Sequence, residues 1–341
     1  MPEMKGKRTI IFNNKPRIIS YGSIVGKKEH EGPLGKEFDE YTIDSFFGED
    51  SFEKAESKLQ KTAVQIALDR ANLKDKDINV MFAGDLLNQC IGSSFGNKER
   101  PIPFVGLYGA CSTMALSVAL ASFFVDSAGA EKALAVTSSH FCSAERQYRF
   151  PLNYGSQRPQ TAQWTVTGSG ALVIGKEGRG PYIHSAVFGE IKDLNVTDTN
   201  NMGAAMAPAA ADTITHYLTD TKTTPEDYDL IFTGDLGLVG TQCLYEILDG
   251  EGIDIRCRHT DCGSIIFNHD GQDTHSGGSG CGCSASVLAS YVMHRFEEGQ
   301  LNNILFLSTG ALMSPTSSYQ GESIPGIAHL LNIRNDKNQQ S

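Results

Sequence analysis

Hydrophobic and polar positions follow helical and strand periods in the same order twice along the chain. An amphipathic helix is predicted over Phe52–Asn72, followed by a short apolar strand over Asn79–Leu86. In the second half, the corresponding patterns predict a helix over Ala204–Thr219 and a strand over Asp229–Leu236. Both strands end in Gly-Asp-Leu, at an offset of 235 − 85 = 150 residues. The pattern predicts a unit of helix and buried strand that occurs twice.

A second pair of segments repeats later in each half. The segment that begins Cys111-Ser-Thr-Met-Ala leads through an apolar helical run into a strand from Ala133. Its counterpart begins Cys281-Gly-Cys-Ser-Ala and leads into a strand from Ile304. The offset here is 305 − 134 = 171, and we assign the surplus of 171 − 150 = 21 residues to the polar stretch Arg256–Gly280. Two matches in one order predict a duplicated α/β chain whose halves are related by a pseudo-twofold axis.

The joint between the halves is marked by glycine. A glycine-led strand over Gly168–Gly175 closes the first half, and the turn cluster at 178–181 follows it. We therefore divide the chain near residue 178, into halves 1–178 and 179–341. The polar tail Arg334–Ser341 is expected to fray.

Composition narrows the functional classes. The chain has 341 residues, and 29 basic against 40 acidic residues give a net charge of −11, which disfavours nucleic acid as a partner. No apolar stretch approaches the length of a bilayer-spanning helix, and the N-terminus lacks the apolar core of a signal peptide. We expect synthesis in the cytoplasm without secretion. The eight cysteines are too sparse for a disulfide scaffold, so reduced thiols are expected.

Cys111 is the first candidate for chemistry. It lies in Tyr-Gly-Ala-Cys-Ser-Thr, where a glycine loop passes into the apolar helical run Met114–Val125. The oriented N–H groups at a helix N-terminus favour a thiolate, which is a common way to activate a nucleophilic cysteine. The alternative is a buried structural thiol.

These motifs resemble the thiolase superfamily, which includes the ketoacyl synthases. The resemblance lies in the duplicated α/β order, in Gly-Ala-Cys at the start of a buried helix, and in Gly168-Ser-Gly-Ala-Leu-Val-Ile. The segment Ser308–His329 further resembles the AD family of stage V sporulation proteins of endospore-forming bacteria, and that resemblance covers essentially the whole chain. It implies a thiolase-like five-layer α/β/α/β/α fold of two duplicated halves, packed as a homodimer.

The catalytic residues that the superfamily uses are matched only in part. Cys111 matches the acyl-accepting cysteine, but Asp235 stands in the region of the ketosynthase histidine, and Cys281 replaces the asparagine. His275-Ser-Gly-Gly-Ser-Gly partly matches the histidine loop of thiolases, whereas Ser308–Ala311 offers no second cysteine. We therefore expect a catalytically degenerate homologue. Two alternatives remain, an active acyl-transferring or condensing enzyme that uses Cys111 on a thioester, and a scaffold with an empty pocket.

The family resemblance implies a ligand, dipicolinic acid, bound free or as its calcium chelate. It implies uptake of this ligand into the developing spore and a role in its release during germination. A planar dianion needs guanidinium groups, hydroxyl donors and an aromatic wall. The candidate ligand-binding residues are Cys111, His140, Arg146, Tyr148, Arg149, Trp164, Asp235 and His275.

Each of these residues also has a structural interpretation. For Arg146 and Arg149, a position in solvent or a pair with an acidic neighbour such as Glu145 is as strongly expected as ligand binding. Trp164 is expected to lie in a core or in a dimer contact.

No resident metal or cofactor is expected. The cysteines and histidines between Cys257 and Cys283 lack the paired spacing of a zinc site, so calcium would arrive only with the ligand. The resemblance implies SpoVA-type membrane proteins as partners and a peripheral location at the spore inner membrane.

Overall fold

The structure is a computed structural model that describes residues 1–149, 152 and 157–336. The strands are β1 (Glu3–Lys5), β2 (Thr9–Ile11), β3 (Arg17–Gly26), β4 (Glu40–Thr42), β5 (Val80–Gly84), β6 (Phe104–Leu107), β7 (Lys132–Ser139), β8 (Trp164–Thr165), β9 (Gly168–Gly175), β10 (Tyr182–Val187), β11 (Leu230–Thr233), β12 (His259–Asp261), β13 (Gly278–Ser279), β14 (Asn303–Ala311) and β15 (Gly326–Arg334). The helices are α1 (Lys27–His30), α2 (Phe52–Arg70), α3 (Ile91–Asn97), α4 (Thr113–Asp126), α5 (Phe141–Tyr148), α6 (Met202–Thr221), α7 (Gly237–Gly250), α8 (Cys262–Ile265), α9 (Cys281–Val287), α10 (Met293–Glu297) and α11 (Pro315–Tyr319).

The strands form two matching sets of five. The first set has the order β3-β9-β7-β5-β6, and the second has the order β10-β15-β14-β11-β12. The directions match as well: the pairs of β7 with β5 and of β14 with β11 are parallel, whereas β9 and β15 run antiparallel to both of their neighbours. Backbone hydrogen bonds between β3 and β10 join the two sets along one edge. The fold is thus duplicated with pseudo-twofold symmetry, as predicted.

Helices and sheets alternate in five layers. Helix α2 covers the outer face of the first sheet, and α6 covers the outer face of the second. Helices α4 and α9 lie between the two sheets and share one central core with them. Because α4 is surrounded by protein, its sequence is apolar on nearly every side rather than along one stripe. The thiolase-like five-layer arrangement is confirmed.

The predicted elements agree closely with the structure. The helix expected over Phe52–Asn72 runs from Phe52 to Arg70, and Ser51 begins it because its hydroxyl accepts a hydrogen bond from the Lys54 backbone N–H. The connection from β6 to Cys111 has three residues, 108–110, whereas that from β12 to the equivalent Cys281 has 19, 262–280. Most of the 21 surplus residues therefore lie inside the expected stretch. Residues 337–341 of the expected frayed tail lie outside the described residues.

The N-terminal segment departs from the expected division at residue 178. Strand β2 pairs with β10 of the second half, and β1 pairs with β2, so residues 3–11 extend the second sheet rather than the first. The Asp220 carboxylate at the end of α6 accepts hydrogen bonds from the backbone N–H groups of Lys7, Arg8 and Thr9. Sequence periodicity does not report such a long-range attachment, since it depends on strand pairing and side-chain contacts with residues far along the chain.

Two properties of the described residues bear on membranes and metals. None of the helices there combines the length and the apolar character that crossing a bilayer requires. The same residues contain no group of three or more histidine, cysteine, aspartate or glutamate side chains placed to hold a metal ion.

Candidate functional site

Cys111 lies in a tight turn between β6 and α4. The preceding residue, Ala110, has a φ of 49°, a left-handed conformation that non-glycine residues rarely adopt. The hydroxyl of Thr113 fixes this turn, because it donates to the Ala110 carbonyl at 2.6 Å and accepts from the Gly109 backbone N–H at 3.0 Å. The turn holds Cys111 at the start of the central helix with 5% of its surface exposed.

Asp235 approaches Cys111 from the other half of the chain. It follows β11 and is fully enclosed, and its carboxylate accepts hydrogen bonds from the Thr309 hydroxyl at 2.6 Å, the Ser279 hydroxyl at 2.9 Å and the Gly280 backbone N–H at 2.9 Å. Burial raises the pKa of Asp235 to about 6, although these donors oppose the shift. A carboxylate therefore occupies the region where the superfamily resemblance led us to look for a histidine.

The Cys111 thiol is held in its protonated form. Burial raises the pKa of this thiol well above its usual value, and the negative charge of Asp235 raises it further. Its sulfur lies 3.8 Å from the Ser279 hydroxyl oxygen. Burial and the buried carboxylate outweigh the activating effect that we expected from the helix N-terminus.

An equivalent arrangement, with the roles of the two halves exchanged, occurs around Cys281, the counterpart of Cys111. This cysteine begins α9 and donates a hydrogen bond from its sulfur to the Ser138 carbonyl at 2.9 Å. Burial raises its pKa, and Cys111 and Asp85, the counterpart of Asp235, contribute to the shift. Each half thus supplies a cysteine whose acidity is lowered by the aspartate of the other half, as a pseudo-twofold axis requires.

A narrow cavity with a volume of about 30 Å³ lies against Cys111, which is room for little more than one or two water molecules. Its lining combines apolar walls with hydroxyl groups and one guanidinium. The lining residues are Leu86, Tyr108, Ala110, Cys111, Ala144, Tyr148, Arg149, Thr165, Met202, Ser279, Ala311 and Met313. We call this space the inner cavity.

Arg149 is the basic residue of the inner cavity. Its side chain is only 8% exposed and forms an ion pair with Glu145 one turn earlier. Its Nε is buried and makes no hydrogen bond within the described residues. Arg8, Arg100 and Arg158 also have a buried guanidinium nitrogen without a hydrogen bond within the described residues. Of these arginines only Arg149 lines the inner cavity, where a ligand oxygen would offset the desolvation cost of its unused donor.

Two predicted residues on α5 point away from the inner cavity. His140 caps the helix: its Nδ1 accepts from the Cys142 backbone N–H at 3.1 Å, and its Nε2 lies 2.8 Å from the Ser45 carbonyl oxygen. Arg146 pairs with Glu53 on α2, and its side chain is half-exposed. We therefore leave His140 and Arg146 out of the proposed binding site.

Trp164 and His275 also lie outside the inner cavity. Trp164 stacks on Phe141 with ring centroids 3.7 Å apart, and the Lys28 ammonium lies 3.7 Å from the indole centroid. His275 has a φ of 53°, and its Nε2 lies 2.9 Å from a carboxylate oxygen of Asp273. Both are held by local contacts, and only Thr165, the neighbour of Trp164, faces the inner cavity.

Several lining residues were not identified from the sequence. Tyr108 stands directly before the Gly-Ala-Cys turn, and Ser279 lies in the glycine-rich entry to α9, so proximity to the two repeated cysteines was an available signal for both. Thr165, Met202 and Met313 come from distant segments and carry no motif. Their convergence depends on the packing of the two halves.

The geometry defines a class: a thiolase-like fold in which a buried cysteine precedes the central helix and lies beside a buried carboxylate. Among the described lining residues there is no histidine, and the thiol is protonated beside a buried carboxylate. Arg149 and the hydroxyls of Thr165 and Ser279 offer hydrogen-bond donors at this site, and its described lining lacks the histidine that the superfamily uses to activate a nucleophile.

Comparison with known proteins gives the family. Residues 6–334 match the family described as "Stage V sporulation protein AD (SpoVAD)". The chain is 46% identical, over 327 residues, to stage V sporulation protein AD of Bacillus subtilis (strain 168), which covers 96% of this chain and 96% of that protein. The chain therefore belongs to the stage V sporulation protein AD family.

Solved structures with the same fold include a 3-oxoacyl-[acyl-carrier-protein] synthase III and OleA. The 3-oxoacyl-[acyl-carrier-protein] synthase III of Aquifex aeolicus has a TM-score of 0.58 at 14% identity, with 94% of this chain and 99% of that chain covered. Cerulenin-bound OleA of Xanthomonas campestris has a TM-score of 0.60 at 14% identity, with 95% of this chain and 97% of that chain covered. At this identity the similarity establishes the fold alone.

Proposed function

We propose that this sporulation protein binds dipicolinic acid at the inner cavity, whose wall must move to admit the ring, without chemical turnover. The binding would serve uptake of the acid into the developing spore and its release during germination. The observation that carries the proposal is Arg149, a buried guanidinium with an unused donor on a cavity whose described lining has no histidine to activate its cysteine. The family membership places the protein in sporulation.

The lining offers groups that suit the ligand. One carboxylate would accept from Arg149, and the hydroxyls of Ser279 and Thr165 provide further donors. The rings of Tyr108 and Tyr148 provide flat apolar surface for a pyridine ring. The negative charge of Asp235 behind Ser279 disfavours a second close anion, so a calcium ion carried by the chelate would ease entry.

The test is calorimetric titration of the full-length protein with dipicolinate, with and without calcium. Benzoate and pyridine-2-carboxylate are the controls, since they keep the ring and one carboxylate. Saturable binding that is selective for the dicarboxylate supports the proposal. Equal heats for all three compounds, or no heat, would refute it.

The second candidate is an acyl-transferring or condensing enzyme. One observation favours it: the strained Ala110 turn still presents Cys111 at a helix start, in a fold shared with acyl-carrier-protein synthases. The raised pKa of the thiol and the aspartate beside it speak against the enzyme.

We also propose that the protein is a homodimer. Strand β6 is the edge of the first sheet, and both Phe104 and Val105 on it are more than one-third exposed. Phe123 and Phe124 at the end of α4 are exposed to a similar degree. A hydrophobic edge strand of this kind is normally covered, and pairing with a second copy would cover it.

The partners would be membrane proteins of the SpoVA type, with this chain peripheral at the spore inner membrane. The support is the family membership alone, since the described residues include no spanning helix to place the chain in the bilayer. Co-sedimentation with inner-membrane fractions, before and after a high-salt wash, would test the peripheral attachment.

A further inference from the structure

A second, larger cavity adjoins the inner one. It has a volume of about 310 Å³ and opens toward the surface. It is lined by Leu87, Asn88, Gln89, Cys90, Tyr108, Tyr148, Leu312, Met313 and Ser314. We call it the outer pocket. It shares Tyr108, Tyr148 and Met313 with the inner cavity, so these three side chains form the boundary between the two spaces.

The two tyrosines are joined across this boundary. Their hydroxyl oxygens lie 3.0 Å apart, and the Tyr148 hydroxyl also donates to the Leu86 carbonyl. Tyr148, the last residue of α5, is thereby bonded to the backbone just after β5. Tyr108 lies just beyond edge strand β6 and is 47% exposed. Within the described residues the Tyr108 hydroxyl has one hydrogen-bond contact and the Tyr148 hydroxyl has two, so Tyr108 has fewer contacts to break if the boundary opens.

Size separates the roles of the two spaces. A cavity needs about 10 to 15 Å³ of accessible volume to hold one water molecule, and dipicolinate, with about a dozen non-hydrogen atoms, needs many times that volume. The inner cavity has only about 30 Å³ of room, whereas the outer pocket has about 310 Å³. A planar ligand therefore fits the outer pocket as it stands, and it reaches Cys111 only if the boundary moves.

The wall of the outer pocket carries backbone strain. Gln89 and Cys90 are consecutive non-glycine residues in the left-handed region, with φ values of 56° and 52°. The Cys90 thiol donates to the Leu107 carbonyl at 3.2 Å and so ties this strained loop to the residue before Tyr108. Strained backbone persists where the surrounding structure holds it in place, and it concentrates at ligand sites.

We propose that the outer pocket is a second binding site for planar aromatic carboxylates, in series with the inner cavity, and that Tyr108 and Tyr148 form the barrier which selects what passes between them. The identity of the ligand rests on the proposed function, but the barrier does not. A ligand would dock in the outer pocket, and parting of the two hydroxyls would admit it to Arg149 and Cys111.

The chain carries its own reporters on the two sides of this barrier. Cys90 lines the outer pocket, Cys111 lines the inner cavity, and Cys257 is exposed on the surface far along the chain. The experiment measures labelling rates of these three thiols by peptide mass spectrometry, with a small reagent, methyl methanethiosulfonate, and a bulky one, dithiobis(nitrobenzoate). Both reagents react with the thiolate, so the ratio of the two rates at one thiol does not depend on the pKa of that thiol. We call this ratio the size ratio.

We expect the bulky reagent to be excluded from Cys111 more strongly than from Cys90 in the unmodified protein. In Tyr108→Phe, which removes only the hydroxyl contact, bulky labelling of Cys111 should rise by about threefold to tenfold, the effect of one neutral hydrogen bond. The size ratio at Cys257 should not change. In Tyr108→Ala, which also removes the ring, the rise should be larger.

Equal size ratios at Cys111 in the three proteins would overturn the barrier, whether or not dipicolinate binds. A change at Cys257 of the same size would indicate general loosening and would also overturn it. Where dipicolinate does bind, stopped-flow association and dissociation should both become faster in Tyr108→Phe. Absence of dipicolinate binding together with a changed size ratio would refute the ligand and retain the barrier.

Discussion

Arg146 and Arg149 lie three residues apart at the end of one helix and face different surroundings. Arg149 is buried against the inner cavity beside Glu145, whereas Arg146 is half-exposed and pairs with Glu53 of α2. Arg146 lies in the last turn of α5 and Arg149 directly follows that helix. The two carry the same charge and differ in burial, so they form a matched pair for mutation.

Arg149→Ala is expected to weaken dipicolinate binding by about 1.5 to 3 kcal/mol, the usual range for a hydrogen bond to a charged group. The reason is the loss of the buried donor that the carboxylate would use. Calorimetric titration measures the change. Arg146→Ala is the control and should bind within error of the unmodified protein, because Arg146 does not reach the inner cavity.

Two results would contradict this assignment. One is an equal loss of affinity in both variants, and the other is a loss confined to Arg146→Ala. Because removal of Arg149 leaves Glu145 buried without its partner, thermal unfolding of both variants should accompany the titration, so that a folding defect is recognised as such.

Asp235 should make the stability of the protein depend on pH. Burial raises its pKa from 3.8 to about 6, so the folded state binds the proton more tightly than the unfolded state does. The stability that this protonated carboxyl contributes is present below pH 3.8 and is lost as the pH rises through about 6. Over that window the loss amounts to about 3 kcal/mol.

Asp235→Asn should remove this dependence. The free energy of unfolding, measured by urea denaturation between pH 4 and pH 7, should fall less with rising pH in the variant than in the unmodified protein. Asp270→Asn is the control, since Asp270 is exposed on the surface. Parallel pH curves for Asp235→Asn and the unmodified protein would contradict the raised pKa.

The sequence alone predicted the duplicated fold because the same local patterns occur in both halves of the chain. The repeated Gly-Asp-Leu strands and the repeated cysteine-led helices predicted the paired elements β5 with β11 and α4 with α9. The attachment of residues 3–11 to the second sheet was not predictable, because it depends on the pairing of β2 with β10 and on Asp220, which lies more than 200 positions further along the chain.

The candidate site was predicted less well, for a geometric reason. Cys111, Tyr148, Arg149 and Asp235 converge on or behind the inner cavity, but His140 and Arg146 on the same short helix do not. A list of chemically suitable residues in one segment does not say which face of the helix each occupies. That direction is set by the packing of α5 against α2.

A dimer through β6 predicts that charge at the edge strand will separate the copies. The double change Phe104→Lys and Val105→Lys places two ammonium groups on a strand whose exposed apolar side chains we expect to be covered. Light scattering after size exclusion should shift from about twice 36.9 kDa to 36.9 kDa. Ile191→Lys, at a side chain 60% exposed elsewhere, should leave the mass unchanged.

A monomeric unmodified protein would refute the dimer outright. A dimer that survives the double lysine change would place the interface elsewhere.

The last prediction concerns catalysis at Cys111. Its thiol is protonated because burial and Asp235 raise its pKa, and the described lining of the inner cavity offers no histidine to remove the proton. Incubation with acyl-coenzyme A at neutral pH should therefore leave the intact mass of the protein unchanged, and Cys111→Ser should behave in the same way. An acyl adduct that maps to Cys111, disappears in Cys111→Ser and turns over with time would establish the enzyme instead. An adduct that forms only at strongly alkaline pH would agree with the binding protein, since it would report the raised pKa of a thiol that no base assists.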